Sequence, residues 1–456
     1  MTYDAIVLGA GQAGPSLAAR LTGSGMKVAL VERKFLGGTC VNTGCMPTKA
    51  LVASAYAAHL ARRAADLGIV VPEVRVDFPK VMARARGVTE NARAGLDRWL
   101  RGMENLTLVQ GQARFEGPHE IRVGEDVLTA PRIFINVGGR ARVPDMPGVR
   151  EVPFLTNTSV LALDRLPKHL VVVGGSYVGL EFAQIHRRCG AEVTVVEMGP
   201  RLIGREDEDV SDAVRGILEA EGIRVRMHAE CIGLARHAEG VAVTLECGEG
   251  PPVAVGSDVL LAVGRVPNTD DLGLESTGVA SDRHGYVVVD DQLATNVDGI
   301  WALGDCNGRG AFTHTSYNDY EIMAANLLDG GERRLSQRVP GYALYIDPPL
   351  GRVGMSEAEA KKSGRRLLIG RRPMTRVNRA VEKGETAGFM KIIVDAESRK
   401  ILGASILGTG GDEAIHGILD MMSAGVAYDV LRWAVPIHPT VSELIPTVLQ
   451  DLRADA

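Results

Sequence analysis

The sequence predicts an α/β protein with two Rossmann-type nucleotide-binding domains and a C-terminal α+β domain. Two glycine-rich turns, which start at Gly9 and Gly174, each stand between a short apolar strand and a helix. Each turn is followed about 20 residues later by an acidic residue at the end of a second strand, Glu32 or Glu197. From Gln337 onward the pattern changes and predicts an antiparallel sheet flanked by helices. The 456 residues are enough for about three domains.

Composition and charge exclude several classes of protein. The chain is 45% hydrophobic and 23% charged, which is typical of a globular protein. Its net charge of −5 gives no general attraction to nucleic acid or to an anionic membrane. No uninterrupted apolar run reaches about 18 residues, so no transmembrane helix is expected. The N-terminus has no basic signal segment, and six cysteines in so long a chain do not make a disulfide framework, which predicts a cytoplasmic protein.

The first glycine-rich turn predicts a site for a dinucleotide. Gly9, Gly11 and Gly14 would let a pyrophosphate approach the backbone, and the helix predicted at residues 15–21 would face it with its N-terminus. Glu32 is placed to bind a ribose hydroxyl.

Two cysteines, Cys40 and Cys45, follow this unit with four residues between them. One irregular turn entering a helix would bring their Cα atoms within the roughly 4.4–6.8 Å that a disulfide needs. Pro47 suits the first turn of such a helix, whose positive end favours thiolate, and Lys49 would add a cation on the face of Cys45. Taken alone, the pair could be a structural disulfide or two buried thiols. Its position after a nucleotide-binding unit favours a redox role.

Other elements are predicted from periodicity and from turn residues. Helices are expected at residues 50–67 and 81–103, strands at 106–115 and 120–127, and a linker at 144–153. In the C-terminal part, strands are expected at residues 342–353, 371–374, 388–394 and 401–407, with a helix at 411–423. The remaining cysteines have no paired spacing and are expected to be incidental: Cys189, Cys231, Cys247 and Cys306.

The stretch 37–49 resembles the redox motif of the class I pyridine nucleotide-disulfide oxidoreductases. This family includes glutathione reductase, dihydrolipoamide dehydrogenase and mercuric reductase, and the resemblance covers essentially the whole chain. It implies an FAD domain in two segments, 1–148 and 267–336, an NAD(P) domain at 149–266 and a dimerisation domain at 337–456. It also implies a homodimer with FAD and NADH as cofactors and NADPH as the alternative.

The resemblance further implies which residues contact FAD beyond the first turn. These residues are Thr39, Lys49, Ala113, Gly304, Asp305 and Thr313. Ala113 would touch the adenine through its backbone, and Asp305 would bind a ribitol hydroxyl. Thr313 would begin a helix whose dipole stabilises an anionic reduced flavin. For His314, the next residue, a capping or packed role is expected, with a catalytic role as the alternative.

The second glycine-rich turn contains Gly174, Ser176 and Gly179. Ser176 stands where the fingerprint usually has glycine, which makes the approach of a pyrophosphate tighter. Mercuric reductases resemble this chain in carrying serine there, so nucleotide binding is expected to be retained. Gly264, in the return strand, would lie by the nicotinamide nucleotide.

The acid of this second unit predicts the nicotinamide cofactor. Glu197 would accept the ribose 2′-OH and repel a 2′-phosphate, which favours NADH. Glutathione reductase has two arginines for the 2′-phosphate, and the aligned positions here are Met198 and Gly204. Arg201 and Arg205 lie close by in the sequence and leave NADPH open.

The motif from His438 to Glu443 resembles the family's acid–base motif. A histidine with an ordinary pKa of ~6.5 can shuttle protons at neutral pH, and a carboxylate five residues on can orient it. Taken alone, the motif could be only a capped helix start. The resemblance implies that His438 arrives from the other subunit and holds Cys40, the exchange thiol, as thiolate. Cys45 would then be the thiol on the flavin side.

Two further contacts of the active site are implied by the resemblance. Lys49 would lie near the flavin and pair with Glu181, and Tyr177 would be a gate over the nicotinamide pocket. Hydride would pass from the nicotinamide to the flavin, and electrons would then reach the disulfide formed by Cys40 and Cys45.

Three stretches, 43–49, 307–319 and 437–446, resemble a mercuric-reductase-like branch that includes bacterial reactive-chlorine-resistance flavoproteins. The resemblance implies a small oxidised acceptor: Cu(II), Hg(II), hypothiocyanous acid or a disulfide. Residues 449–456 lack the cysteine pair that hands the metal inward in mercuric reductases, so efficient mercury detoxification is not expected. No Cys/His cluster has the spacing of a zinc site. The alternatives are dihydrolipoamide dehydrogenase and a non-catalytic flavoprotein redox or metal sensor.

Overall fold

The computed structural model describes residues 1–246 and 251–454. It confirms the predicted fold class, because it contains two parallel sheets covered by helices and a separate antiparallel sheet. No helix in these two stretches is long and apolar enough to cross a membrane. Cys247 lies outside the described residues.

The first parallel sheet is built from two distant parts of the chain. Its five strands, in spatial order, are Ile300–Ala302, Ile133–Ile135, Ala5–Leu8, Val28–Glu32 and Leu106–Gln110. The central strands are fully buried, as expected for a parallel sheet that is covered on both faces. The helices around it are Ala13–Gly23, Gly38–Thr43, Cys45–Arg62, Phe78–Arg101 and Thr313–Leu328.

Several predicted boundaries differ from the structure for local reasons. The helix predicted at 81–103 begins at Phe78, because Asp77 caps it by accepting a hydrogen bond from the Lys80 amide at 3.1 Å. The helix predicted at 50–67 spans Cys45–Arg62 and so begins at the second redox cysteine. The strand predicted at 106–115 is two strands, since Gly111, with φ +155°, separates them. The second of these pairs in a three-stranded antiparallel sheet made of Ala113–Gly117, Glu120–Val123 and Asp126–Thr129.

The second parallel sheet belongs to the middle of the chain. Its four strands, in spatial order, are Arg224–Arg226, Glu192–Val196, His169–Val173 and Asp258–Leu261. Helices Tyr177–Cys189 and Glu208–Ala220 pack on it, and an antiparallel sheet of Glu230–His237, Gly240–Glu246 and Val253–Gly256 lies beside it. The chain leaves and re-enters the first domain through two paired strands, Gly139–Ala141 and Arg265–Pro267.

The C-terminal domain is built on a six-stranded antiparallel sheet. Its strands, in spatial order, are Gly341–Leu344, Leu350–Gly354, Ile401–Leu407, Phe389–Asp395, Leu367–Pro373 and Arg453–Ala454. The single stretch predicted at 342–353 is interrupted at residues 345–349, where Pro348 and Pro349 have no backbone N–H to donate to a ladder. The helices of this domain are Glu357–Lys362, Asn378–Glu382, Gly411–Ala414, His416–Ser423, Asp429–Arg432 and Ile445–Gln450.

Candidate active site

The first glycine-rich turn has no room for side chains. Gly9 has φ +101°, and a Cβ there would lie 2.3 Å from the carbonyl oxygen of Asn136. A Cβ at Gly14 would lie 2.2 Å from the carbonyl oxygen of Gly9. Only glycine fits these positions, so the backbone of the turn is not covered by side chains. This backbone and the N-terminus of helix Ala13–Gly23 face the same space. This cradle fits the pyrophosphate of FAD.

Glu32 is held in place by the backbone on both sides. The Ala10 amide donates to one carboxylate oxygen at 2.9 Å, and the Lys34 amide donates to the other at 2.8 Å. Glu32 and Ala113 line one cavity together with Gly9. The ribose and adenine contacts predicted for these residues are therefore within reach of one ligand, and the residues fit the adenosine end of FAD.

The loop that carries the cysteines rests on the first turn. A Cβ at Gly38 would lie 2.7 Å from the Cα of Gly11, so these two backbones are in direct contact. Thr39 follows in the short helix Gly38–Thr43. This close approach positions Cys40 beside the predicted dinucleotide site.

The second FAD fingerprint is anchored by a buried carboxylate. Gly304 has φ +71°, and its amide donates to Asp319 at 2.7 Å. The carboxylate of the next residue, Asp305, lies 3.4 Å from the Arg265 guanidinium. Burial raises the pKa of Asp305, although the positive charge of Arg265 opposes that rise. The turn thus presents Asp305 from a fixed backbone.

Cys40 and Cys45 are both thiols in this structure, and they differ in acidity. The pKa of Cys45 is lowered to about 6, chiefly because Cys40 hydrogen bonds to it, with help from Thr313 and from the charge of Lys49, while burial opposes the shift. The pKa of Cys40 is raised, because the same hydrogen bond and burial favour its protonated form. The surroundings of the pair therefore favour negative charge on Cys45 over Cys40.

Thr313 contacts the Cys45 sulfur. Its hydroxyl oxygen lies 3.2 Å from Cys45 Sγ. Thr313 is the first residue of helix Thr313–Leu328, so the sulfur also faces the N-terminus of that helix. The sequence predicted Thr313 as a helix start near the flavin and did not predict its contact with Cys45.

Lys49 lies one helical turn from Cys45 and forms an ion pair with Glu181. Its Nζ lies 2.7 Å from Glu181 Oε2 and 4.5 Å from the centre of the Tyr345 ring. The other oxygen of Glu181 accepts a hydrogen bond from the Tyr345 amide at 3.0 Å. The Lys49 cation is therefore held in place by groups from the two other domains.

Tyr177 belongs to a cluster of four rings that also contains Phe312, His314 and Tyr342. The Tyr177 ring meets Tyr342 edge-on at 5.3 Å, and Phe312 lies flat between His314 and Tyr342, at 5.4 Å from each. His314 Nε2 donates to the Gly341 carbonyl at 2.7 Å. His314 is exposed in this chain, and one face of its ring packs on Phe312.

The second glycine-rich turn repeats the geometry of the first. Gly174 has φ +112°, and a Cβ there would lie 2.4 Å from the Ala262 carbonyl oxygen. A Cβ at Gly179 would lie 2.2 Å from the Gly174 carbonyl oxygen. Ser176 has extended backbone directly before helix Tyr177–Cys189. Gly264 has φ +112° and open space where a side chain would point.

Glu197 is held in the same way as Glu32. The Gly175 amide donates to one carboxylate oxygen at 2.6 Å, and the Gly199 amide donates to the other at 2.7 Å. Arg205 is exposed and Arg201 is half-buried. Glu197, which is predicted to bind the ribose, therefore also fixes the backbone of the turn through these two hydrogen bonds.

His438 and Glu443 meet as the motif predicts, since His438 Nδ1 lies 2.8 Å from Glu443 Oε2. The His438 side chain is 69% exposed. It forms no hydrogen bond with Cys40 within residues 1–246 and 251–454. Large apolar side chains just before it are also exposed: Trp433 by 71%, Val435 by 96% and Ile437 by 80%.

The structure also contains site residues that the sequence did not indicate. Tyr342, Phe312 and Tyr345 surround Tyr177 and Lys49 from other domains. No local motif marks them, because each is separated from its partner by more than a hundred residues. Among the described residues, no group of three or more His, Cys, Asp or Glu side chains could hold a metal ion.

Comparisons with known proteins agree with this geometry. The family model described as pyridine nucleotide-disulphide oxidoreductase matches residues 3–319, and the model of its dimerisation domain matches residues 340–449. The match to a dimerisation domain indicates a homodimer. The predicted family and the prediction of an enzyme are both confirmed.

Curated relatives span nearly the whole chain. A probable pyridine nucleotide-disulfide oxidoreductase, RclA, of Escherichia coli is 36% identical over 97% of each chain. The dihydrolipoyl dehydrogenase of Thermus scotoductus is 33% identical over 100% of this chain and 98% of its own. The mercuric reductase of Streptomyces lividans is 32% identical over 99% of this chain and 97% of its own.

Among solved structures, the Cu(II) complex of the HOCl-induced flavoprotein disulfide reductase RclA from Escherichia coli superposes with a TM-score of 0.90. It is 34% identical in sequence, and the match covers 99% of both chains. Fold, glycine-rich turns, paired cysteines and relatives all point to the same family. This chain belongs to the pyridine nucleotide-disulphide oxidoreductases, enzymes that use FAD and NAD(P)H.

Proposed function

We propose that this enzyme passes two electrons from NADH through a Cys40–Cys45 disulfide to a small oxidised acceptor. The observation that carries the proposal is the setting of Cys45, whose sulfur lies 3.2 Å from the Thr313 hydroxyl at a helix N-terminus and one helical turn from the Lys49–Glu181 ion pair. Bound FAD would supply the carrier that takes hydride from the nicotinamide and delivers two electrons to the disulfide. The first glycine-rich turn, Glu32, Ala113 and Asp305 would hold it.

The protein's own groups favour one way of opening the disulfide. Two electrons and one proton convert the disulfide into a thiolate at Cys45 and a thiol at Cys40. Thr313 donates to the Cys45 thiolate, and the Lys49 ammonium stabilises its charge. Glu181 orients Lys49, and its own charge opposes the thiolate weakly. The reduced pair thus has its charge on Cys45 and its proton on Cys40.

Turnover then requires a base for Cys40, and we assign this role to His438 of the other subunit. Glu443 accepts from Nδ1 and leaves Nε2 free to take a proton. The exposure of His438 and of the apolar residues before it supports an interface at this segment. In a two-fold dimer each site would combine Cys40 of one chain with His438 of the other.

This arrangement can be tested by mixing two inactive parents, His438→Ala and Cys40→Ser. Heterodimers would contain one site with both intact groups, so we expect partial recovery of activity after the subunits exchange. Mass spectrometry of the intact dimers measures the exchange. Exchanged but inactive mixtures would show that each site is built within one chain.

We assign the acceptor to thiophilic oxidants: Cu(II), Hg(II) or hypothiocyanous acid. The three stretches that resemble the mercuric-reductase-like branch support this class, as does the likeness to a flavoprotein disulfide reductase solved with Cu(II). With hypothiocyanous acid the balance is HOSCN + NADH → SCN⁻ + NAD⁺ + H₂O. With copper, two Cu(II) become two Cu(I) as one NADH gives NAD⁺ and H⁺. The Cys40 thiolate would be the group that meets the acceptor.

The experiment is a steady-state screen of NADH and NADPH oxidation. The acceptors are Cu(II), Hg(II), hypothiocyanous acid, lipoamide and glutathione disulfide, and Cys40→Ser is the control at each. We expect turnover with at least one thiophilic oxidant that Cys40→Ser abolishes. Fastest turnover with lipoamide would instead identify a dihydrolipoamide dehydrogenase, and no turnover with any acceptor would favour a redox or metal sensor.

A further inference from the structure

Buried ion pairs fasten the NAD(P) domain to the C-terminal domain. Lys391 Nζ, on the C-terminal sheet, lies 2.9 Å from Asp207 and 2.9 Å from Asp209 of the NAD(P) domain. At another place, Arg188 lies 2.7 Å from Asp347. Lys391, Arg188 and Asp207 are all buried, so separating the domains would remove an ion-pair partner from each of these buried charges. A rotation of the NAD(P) domain is therefore a costly way to admit nicotinamide, and movement of a side chain is favoured.

Tyr177 is the side chain that would have to move, and the rings of Tyr342 and Phe312 pack against it. Its ring meets Tyr342 edge-on, with centres 5.3 Å apart and planes at 80°, and meets Phe312 at 6.3 Å and 88°. Phe312 lies flat against Tyr342, at 5.4 Å and 13°. Edge-to-face pairs are attractive, because the positive edge of one ring meets the negative face of the other. Moving Tyr177 out of this position would break both contacts.

Tyr342 is itself held at both ends. Its hydroxyl donates a hydrogen bond to Glu206 of the NAD(P) domain, and Glu206 is buried 3.8 Å from Arg352. The carbonyl of Gly341, the residue before Tyr342, accepts a hydrogen bond from His314 at 2.7 Å. Contacts from the FAD domain and the NAD(P) domain therefore fix a ring that belongs to the C-terminal domain.

We propose that Tyr342 is a positioning residue for the nicotinamide gate. It holds Tyr177 in the position seen here, so that a nicotinamide ring enters only when Tyr177 leaves Tyr342. This inference rests on the gate role that the family resemblance assigns to Tyr177. One edge-to-face pair is worth roughly a factor of two to ten in an equilibrium constant. Removing the Tyr342 ring should therefore ease entry by about fivefold.

The test compares two ligands that differ only in the nicotinamide ring, NAD⁺ and ADP-ribose. Dissociation constants are measured by titration calorimetry on the oxidised holoenzyme. For Tyr342→Leu, we expect the Kd of NAD⁺ to fall about fivefold and that of ADP-ribose to stay unchanged, because ADP-ribose does not enter the gate. Tyr342→Phe keeps the ring and should bind NAD⁺ within about twofold of the wild type. Tyr317→Leu is the matched control, since Tyr317 packs on Tyr320 outside the cluster.

Four outcomes overturn the proposal, and the last two show whether the gate role of Tyr177 fails with it. Unchanged NAD⁺ affinity in Tyr342→Leu refutes it. Equal changes in the Kd of NAD⁺ and of ADP-ribose in Tyr342→Leu also refute it, because they indicate a disturbed NAD(P) domain. If Tyr177→Leu tightens NAD⁺ selectively and Tyr342→Leu does not, the gate stands and only the role of Tyr342 fails. If Tyr177→Leu changes the Kd of neither ligand, Tyr177 is not a gate, and the roles assigned to Tyr177 and Tyr342 are both wrong.

Discussion

Replacing Thr313 by valine should raise the pKa of Cys45 and weaken its thiolate. The Thr313 hydroxyl lies 3.2 Å from the sulfur and is one of the causes that bring the pKa of Cys45 down to about 6. A hydrogen bond to a charged group is worth about 1.5–3 kcal/mol, and a shift of one pKa unit corresponds to about 1.4 kcal/mol. Because Cys45 is exposed and solvent screens the interaction, Thr313→Val should move the pKa of Cys45 up by about one unit at most.

The assay is the pH dependence of Cys45 alkylation in a Cys40→Ser background. That background prevents the disulfide and keeps a hydroxyl donor next to Cys45. Iodoacetamide reacts with the thiolate, and peptide mass spectrometry separates Cys45 from the other cysteines. Thr313→Ser retains the hydroxyl and should give the same midpoint as threonine. An unchanged midpoint in Thr313→Val would refute the reasoning, because Lys49 and the hydroxyl at position 40 alone would then account for the acidity.

Three further outcomes are expected. Cys45→Ser should abolish the long-wavelength thiolate-to-flavin absorption of the reduced enzyme, whereas Cys40→Ser should show it without reductant; a band retained in Cys45→Ser would reverse the two roles. In steady-state kinetics kcat/KM should favour NADH, and Glu197→Ala should narrow that preference; a tenfold wild-type preference for NADPH would contradict it. In rapid-reaction kinetics His438→Ala should leave flavin reduction by NADH intact but slow thiol exchange about a hundredfold or more; equal exchange rates would remove the histidine from the mechanism.

The parts of the fold that could be predicted are those determined by short stretches of sequence. Each glycine-rich turn needs bare backbone at its first and last glycine, since a Cβ at Gly9, Gly14, Gly174 or Gly179 would lie within 2.4 Å of a carbonyl oxygen. The contact between His438 and Glu443 is likewise local, since five residues separate them along the chain.

The rest of the site depends on contacts between distant segments. Thr313 meets Cys45 across 268 residues, and Tyr342 meets Glu206 across 136. No periodicity or spacing encodes such a meeting, because it depends on how three domains pack. The split of the predicted strand 106–115, in contrast, has a local cause at Gly111. Its second half continues the apolar pattern and pairs in another sheet once Gly111 turns the chain.

Glu32 and Glu197, the acids that follow the two glycine-rich turns, show that one residue of a local motif can have more than one role. Glu197 was predicted as a ribose ligand, yet both of its oxygens already accept backbone amides, from Gly175 and Gly199. Glu197→Ala would therefore remove a cofactor contact and also loosen the turn, which weakens the binding of NADH and NADPH together.

Glu197→Gln keeps one oxygen acceptor for the turn and removes the charge. If repulsion of a 2′-phosphate sets the preference, Glu197→Gln should narrow the ratio of the two kcat/KM values. An unchanged ratio in Glu197→Gln would mean that the carboxylate organises the turn and that the neighbouring arginines, Arg201 and Arg205, decide between the cofactors.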